Sequence, residues 1–171
     1  MLPRSIDDLD GRLIRTLAES PRAGVMELAR KLRVARGTAQ ARMDKLQRRG
    51  VITGFGPDVD VRGLGYTVLA FTTLEIKQGR LQDVVAHLLD IPEVLEAHAT
   101  TGEGDLHCRL VARSNDHLQD VINRVLEVQG IDRATTVIAL SEQIGYRVLP
   151  LVESAAGAEP AGGAEPAAGT D

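Results

Sequence analysis

A short word that occurs twice sets the strongest limit on how this chain can fold. Leu81-Gln82-Asp83-Val84 returns as Leu118-Gln119-Asp120-Val121, a shift of 37 residues. Each copy opens a stretch with apolar residues at the same offsets: Leu81, Val84, Val85, Leu88 and Leu89 in the first, Leu118, Val121, Ile122, Val125 and Leu126 in the second. Steps of three and four residues put each set on one stripe of an α-helix. Runs rich in β-formers flank both copies, Tyr66 to Ile76 and Val94 to Thr101 around the first, Leu106 to Ala112 and Ala134 to Leu140 around the second. The order βαββαβ predicts a four-stranded antiparallel sheet with two helices on one face. Two identical stripes cover only that face. The other needs a cover, and a second copy of the same sheet supplies one, so a homodimer is expected through this region.

The chain ahead of the repeat has a different character. Its 171 residues carry 20 Lys or Arg and 24 Asp or Glu, but twelve of those cations and only six of those anions lie in residues 1–50. The remainder holds eight cations against eighteen anions, so a basic head precedes an acidic body. That asymmetry fits a nucleic-acid-binding segment joined to a separate assembly or regulatory module.

Within the head, Ile6, Leu9, Leu13, Ile14 and Leu17 recur at helical spacing, with Asp7, Asp8, Asp10, Arg12 and Arg15 between them. The acids come early and the basic residues later, the order that the helix dipole favours. Ser20-Pro21 ends this helix. A second helix is expected around Met26 to Leu32, burying Leu28, Ala29 and Leu32, with Arg33 and Val34 as the turn. A third spans about Arg36 to Arg49. On a wheel of about 100° per residue its inward side gathers Ala39, Met43 and Leu46. The opposite side gathers Gly37, Ala41, Asp44 and Arg48, flanked by Thr38, Gln40 and Lys45. Small residues at Gly37 and Ala41 let the helix backbone approach another surface closely, as in a major groove. Alone, such a face is better read as a solvated one. The two short helices before it make a DNA-reading helix-turn-helix the better reading, with Arg36, Thr38 and Gln40 expected at base edges and Lys45 and Arg48 at phosphates. Arg42 lies nearer the packed side, where it serves equally as a DNA contact or a structural ion pair.

The runs IDDLDGRLIRTLAES, ELARKL and ARMDKLQRRGVITGF, followed by GLGYTVLAF, IPEV, TGEGDL and QGI, together resemble the Lrp/AsnC family of transcription regulators from Ile6 to Val152. The resemblance implies an α+β protein: an N-terminal winged or tri-helical helix-turn-helix domain followed by a ferredoxin-like βαββαβ domain of the RAM type. It also implies double-stranded DNA as partner, an amino acid as effector, and assembly of homodimers into rings, commonly octamers. Two positions depart from the family pattern, which has glycine in the turn and serine at the start of the recognition helix where this chain has Arg33 and Ala35. The fold is expected to survive with a less well defined turn, and Arg36 and Thr38 to take over contacts at the helix start.

Thr101-Gly102-Glu103-Gly104-Asp105 joins the two halves of the repeat. Two glycines expose backbone N–H groups and Asp105 offers a carboxylate, so the loop is either a plain hairpin turn or a holder for the two ends of an amino acid. The family's TGxxD motif is matched by Thr101, Gly102 and Asp105, and the resemblance implies an effector pocket there between neighbouring dimers. It implies further walls at Thr136, Val137 and Ile138; Gly104 is a candidate as the second of the loop's glycines.

These readings divide the chain into a helix-turn-helix domain at 1–52, a linker at 53–65 with a hinge at Gly54-Phe55-Gly56, a βαββαβ domain at 66–153, and a disordered tail at 154–171. The tail repeats GAEPA and carries only acidic charge, so it is expected to bury nothing and to be dispensable for folding and DNA binding. Glu142 to Leu151 is expected as a last extended segment pairing with the sheet or a partner. No apolar run is long enough to cross a membrane and the N-terminus lacks a signal-peptide core, which predicts a cytoplasmic protein without a membrane partner. The single cysteine, Cys108, cannot form an internal disulfide or hold a structural metal alone. His87, His98, His107 and His117 show no i, i+4 pair, so neither a metal site nor a cofactor is expected. An enzyme is the competing class. Some chains that resemble this family are sirohaem decarboxylases, for which His98 or His107 would be candidates, but the basic, small-faced third helix argues for DNA. An architectural DNA-binding protein with little sequence preference is the third reading.

Overall fold

The computed structural model describes residues 6–157. These residues form two compact units, one from 6–57 with 145–157, the other from 58–144.

The first unit is helical. Its helices α1 (Asp8–Glu19), α2 (Val25–Leu32) and α3 (Arg36–Arg48) follow the expected order. Asp7 caps α1 through a reciprocal box: its carboxylate accepts the Asp10 N–H at 2.9 Å while the Asp10 carboxylate accepts the Asp7 N–H at 3.3 Å. Leu13, Leu28, Leu32, Ala39 and Leu46 are buried at the centre. Asp10 departs from its expected place on the polar side and is fully buried, because two cations of α3 reach it. At the turn, Arg33 sits at φ 57°, ψ 47°, the left-handed conformation that glycine adopts freely. The α3 N-cap Ala35 makes no side-chain capping bond.

A further helix belongs to this unit. Residues 149–156, expected partly as an extended strand of the second domain and partly as disordered tail, form α4 (Leu149–Ala156). Pro150 sits in its first turn, where the missing N–H costs nothing, and Gly157 closes it at φ 80°. Ala156 is buried with Ile6, Leu13, Leu32 and Leu46, and Val152 packs against the same cluster. Gly11 of α1 makes room for it, since a Cβ there would lie 2.6 Å from the Ala156 Cβ. Arg15 and Glu153 close the contact with an ion pair at 2.6 Å. The part of the expected tail at 158–171 lies outside the described residues.

The second unit is the βαββαβ fold that the repeat predicted: β1 (Val68–Ile76), α5 (Leu81–Leu89), β2 (Val94–Ala99), β3 (Leu106–Ala112), α6 (Asn115–Leu126) and β4 (Ile131–Ile138). The strand order is β2-β3-β1-β4, antiparallel throughout. Both helices bury the same stripe on one face, Val84 and Leu88 from α5, Leu118, Val121 and Val125 from α6, against Ala70, Leu74, Leu106, Cys108 and Leu110. The last stripe residue of each copy leaves the core: Leu89 is 81% exposed and Leu126 44% exposed. Burial pushes the Cys108 thiol up to about 11, which keeps it protonated and unreactive.

Candidate nucleic-acid interface and effector cleft

Helix α3 divides cleanly into an inner and an outer side. Ala39 and Leu46 are buried and Met43 half-buried, whereas Arg36, Gly37, Thr38, Gln40, Ala41 and Arg48 are exposed. A Cβ at Gly37 would meet nothing within 4 Å, so nothing inside the unit requires glycine there. Gln40 donates to Asp44 Oδ1 at 2.7 Å, a one-turn bond along the outer side. Arg36 and Arg48 have no carboxylate within 4.0 Å among the described residues, so their charge faces outward uncompensated.

Two of the expected DNA contacts are held differently. Arg42 is half-buried and donates to Asp7 and, at 3.1 Å, to Asp10. Those bonds raise the arginine further above its ordinary value. Asp7 is held below the usual carboxylate range, first by the Asp10 N–H and then by Arg42. Lys45 Nζ lies 3.7 Å from Asp10 Oδ2. Arg42 therefore ties α3 to α1, and Lys45 shares its charge with the same buried acid.

The second unit carries a cleft of about 430 Å³ lined by Thr73, Glu75, Glu103, Gly104, Arg133 and Thr135. Strand register explains the set. Thr73 pairs with Thr135 and Glu75 with Arg133, so all four side chains share the face away from the helices. The β2–β3 loop closes one end. Gly104, at φ 79°, passes so near β1 that a Cβ would lie 2.3 Å from Thr73 Cγ2 and 3.1 Å from the Leu74 carbonyl oxygen. Asp105 fastens the loop: its N–H donates to the Leu74 carbonyl at 2.7 Å and its Oδ2 accepts the Ile76 N–H at 2.6 Å.

Of the residues expected to hold an effector, Gly104 lines the cleft, and Thr101 and Gly102 stand exposed on the loop beside it. Asp105 turns one carboxylate oxygen to the β1 backbone. Val137 shares the open face with Thr135, but Thr136 and Ile138 point to the helix side, where the Thr136 and Thr72 hydroxyls meet at 2.9 Å. Three consecutive strand residues cannot line one cleft, because successive side chains alternate between faces. Thr73, Glu75, Glu103, Arg133 and Thr135, which line the cleft with Gly104, were not among the expected residues.

None of the four histidines lines the cleft, and His107 Nδ1 lies 3.2 Å from the Thr73 hydroxyl that does. His98 pairs with His107 across β2 and β3, and His107 stacks on Phe71 at 5.7 Å between ring centres. His117 Nε2 lies 3.3 Å from the buried Glu93, which Arg124 also approaches at 2.9 Å. Among the described residues no three His, Cys, Asp or Glu side chains gather as a metal site would need.

Comparison with known proteins agrees with both units. Residues 6–47 match the AsnC-type helix-turn-helix domain and residues 69–149 the Lrp/AsnC ligand binding domain. The chain is 33% identical over 147 residues to the regulatory protein AsnC of Escherichia coli, covering 85% of this chain and 97% of that protein. It is 27% identical over 146 residues to the HTH-type transcriptional regulator FL11 of Pyrococcus horikoshii, covering 85% and 97%. The structure of Escherichia coli AsnC superposes with a TM-score of 0.79 over 85% of this chain and 99% of that one. A transcriptional regulator of Neisseria meningitidis in complex with L-Met shares the fold at a TM-score of 0.76 and 20% identity, over 86% and 99%. These relatives are transcription regulators and not enzymes. With its helix-turn-helix and its βαββαβ domain both matched and in this order, the chain belongs to the Lrp/AsnC family of DNA-binding transcription regulators.

Proposed function

We propose that this regulator reads specific DNA sequences through the outer side of α3, works as a homodimer that assembles further, and responds to a small amino acid held near the Gly104 loop. The observation that carries the reading is the two-sided character of α3. An inner side of Ala39, Met43 and Leu46 fixes the helix in its unit, and an outer side of Arg36, Thr38 and Gln40 with small residues at Gly37 and Ala41 is free to meet base edges. Arg48 serves as the phosphate contact, with Lys45 beside it. Arg42 serves the fold more than the DNA, because its guanidinium is committed to α1.

Pairing is what gives such an element useful affinity. One short helix contacts few base pairs, and two copies held by a dimer read two half-sites together. A second copy would cover the end of the open face that holds Phe71, Arg109 and the 58% exposed Val137, leaving the cleft at Thr73, Glu75, Arg133 and Thr135 at its edge. Larger assembly, an octamer included, follows the family pattern. No helix among the described residues is long and apolar enough to cross a membrane, in keeping with a cytoplasmic site of action. An amino-acid effector is supported by the matched ligand binding domain, by the L-Met bound to the Neisseria protein, and by a cleft that carries both charge signs.

Selection of bound fragments from random DNA tests the proposal. A recurrent motif is expected. Recovery of fragments without a common sequence would replace specific regulation by architectural binding.

A further inference from the structure

Resting on that effector reading, we infer that the cleft selects an amino acid whose side chain carries a second positive charge, of the lysine, ornithine or arginine class. The lining holds two carboxylates, Glu75 and Glu103, one guanidinium, Arg133, and the hydroxyls of Thr73 and Thr135. None of the lining side chains is a large apolar one. A leucine or methionine side chain placed there gains no dry wall.

The charge count decides what fits. The α-carboxylate of a free amino acid matches the Arg133 fork and its α-ammonium matches one carboxylate. A neutral amino acid stops there, leaving the second carboxylate unmatched. A cationic side chain uses it. Glu75 Oε1 and Arg133 Nη1 stand 4.0 Å apart, beyond hydrogen-bond reach, so both retain free donors and acceptors for the two ends of a zwitterion. Glu103 stands on the loop that approaches β1 closely at Gly104. The volume of about 430 Å³ accommodates an extended amino acid of this length. A divalent cation is the other ligand that carboxylates attract, but among the described residues no three ligating side chains converge here.

Isothermal titration calorimetry on the full chain with L-lysine, L-ornithine, L-leucine, L-methionine and L-asparagine tests the inference. Lysine or ornithine is expected to bind at least about tenfold tighter than any of the three neutral amino acids, and Glu103→Gln to erase about tenfold of that preference. The substitution sits on an exposed loop, so circular dichroism of the variant should match the parent. Tighter binding of a neutral amino acid would overturn the charge selection while leaving the effector reading intact. A lysine preference that survives both Glu103→Gln and Glu75→Gln would overturn the assignment to this cleft. Heat from none of the five would overturn the effector reading together with the inference.

Discussion

Arg33 occupies a backbone conformation that costs an L-residue about 1–2 kcal/mol relative to the right-handed helix, whereas glycine adopts it freely. Arg33→Gly is therefore expected to raise the stability of the helical unit by about 0.5–1 kcal/mol, the gain being limited by the extra freedom of glycine in the unfolded chain. Ala35→Ser should add about 1 kcal/mol by giving α3 the capping oxygen that it lacks. Urea denaturation of the two variants checks both. At the sheet, burial of Glu93 opposes its ionisation but is outweighed by its own N–H and by Arg124 and His117, so its carboxyl titrates below the ordinary 4.5. A depressed carboxyl stabilises the fold above its unfolded value, and that contribution is lost as pH falls through the lower folded value. Glu93→Gln should cost about 1–3 kcal/mol at neutral pH, and its deficit should shrink as the pH falls below about 4.5. Thermal melts from pH 7 to 3 would detect this convergence, and a constant deficit would deny Glu93 its ionic role.

Helices α1 and α4 meet where Gly11 faces Ala156, and this contact was hidden by composition. The Ala- and Gly-rich tail suggested disorder, yet Leu149, Val152 and Ala156 stand at helical spacing, and Pro150 lies where a helix begins. That signal was readable and was outweighed by the absence of large apolar residues beyond Val152. Gly11→Val is expected to cost about 1–3 kcal/mol by forcing the two helices apart, and a stop after Val148 to lower the unfolding midpoint of the helical unit. The fate of Asp10 was not readable, since a buried acid looks like a surface one until its partners on α3 are known. On α3 itself, Arg48→Ala should weaken binding to every DNA sequence and lower the salt slope by about one unit. Arg42→Ala should instead reduce folding stability, because it removes a tie to Asp10 and leaves the buried carboxylate with the Asp7 N–H and the more distant Lys45. Paired measurements of salt-dependent affinity and urea stability separate the two arginines.

For the molecule as a whole, the repeat determined one unit almost completely. Two helical stripes in the same phase admit few arrangements other than two helices on one face of a sheet, and all four strands appeared in the expected order. The helical unit was legible in its three N-terminal helices, whose periodicity is local. Its fourth helix comes from more than 90 residues beyond α3 in sequence, a distance that no local pattern spans. The cleft was legible only at its loop, since the strand residues that complete it are brought together by pairing between β1 and β4. The chain thus leaves the DNA-binding unit near residue 57 and returns to it near residue 145, so that the ligand-binding unit is connected to it covalently at both ends. On the proposed function, that second unit pairs two α3 helices on one duplex. Hydroxyl-radical footprinting on a selected DNA site tests it most directly. Two protected half-sites of related sequence, about 10–10.5 base pairs apart or a multiple of that and on one face of the duplex, are expected. A single undivided patch, or protection that spreads without register, would contradict it.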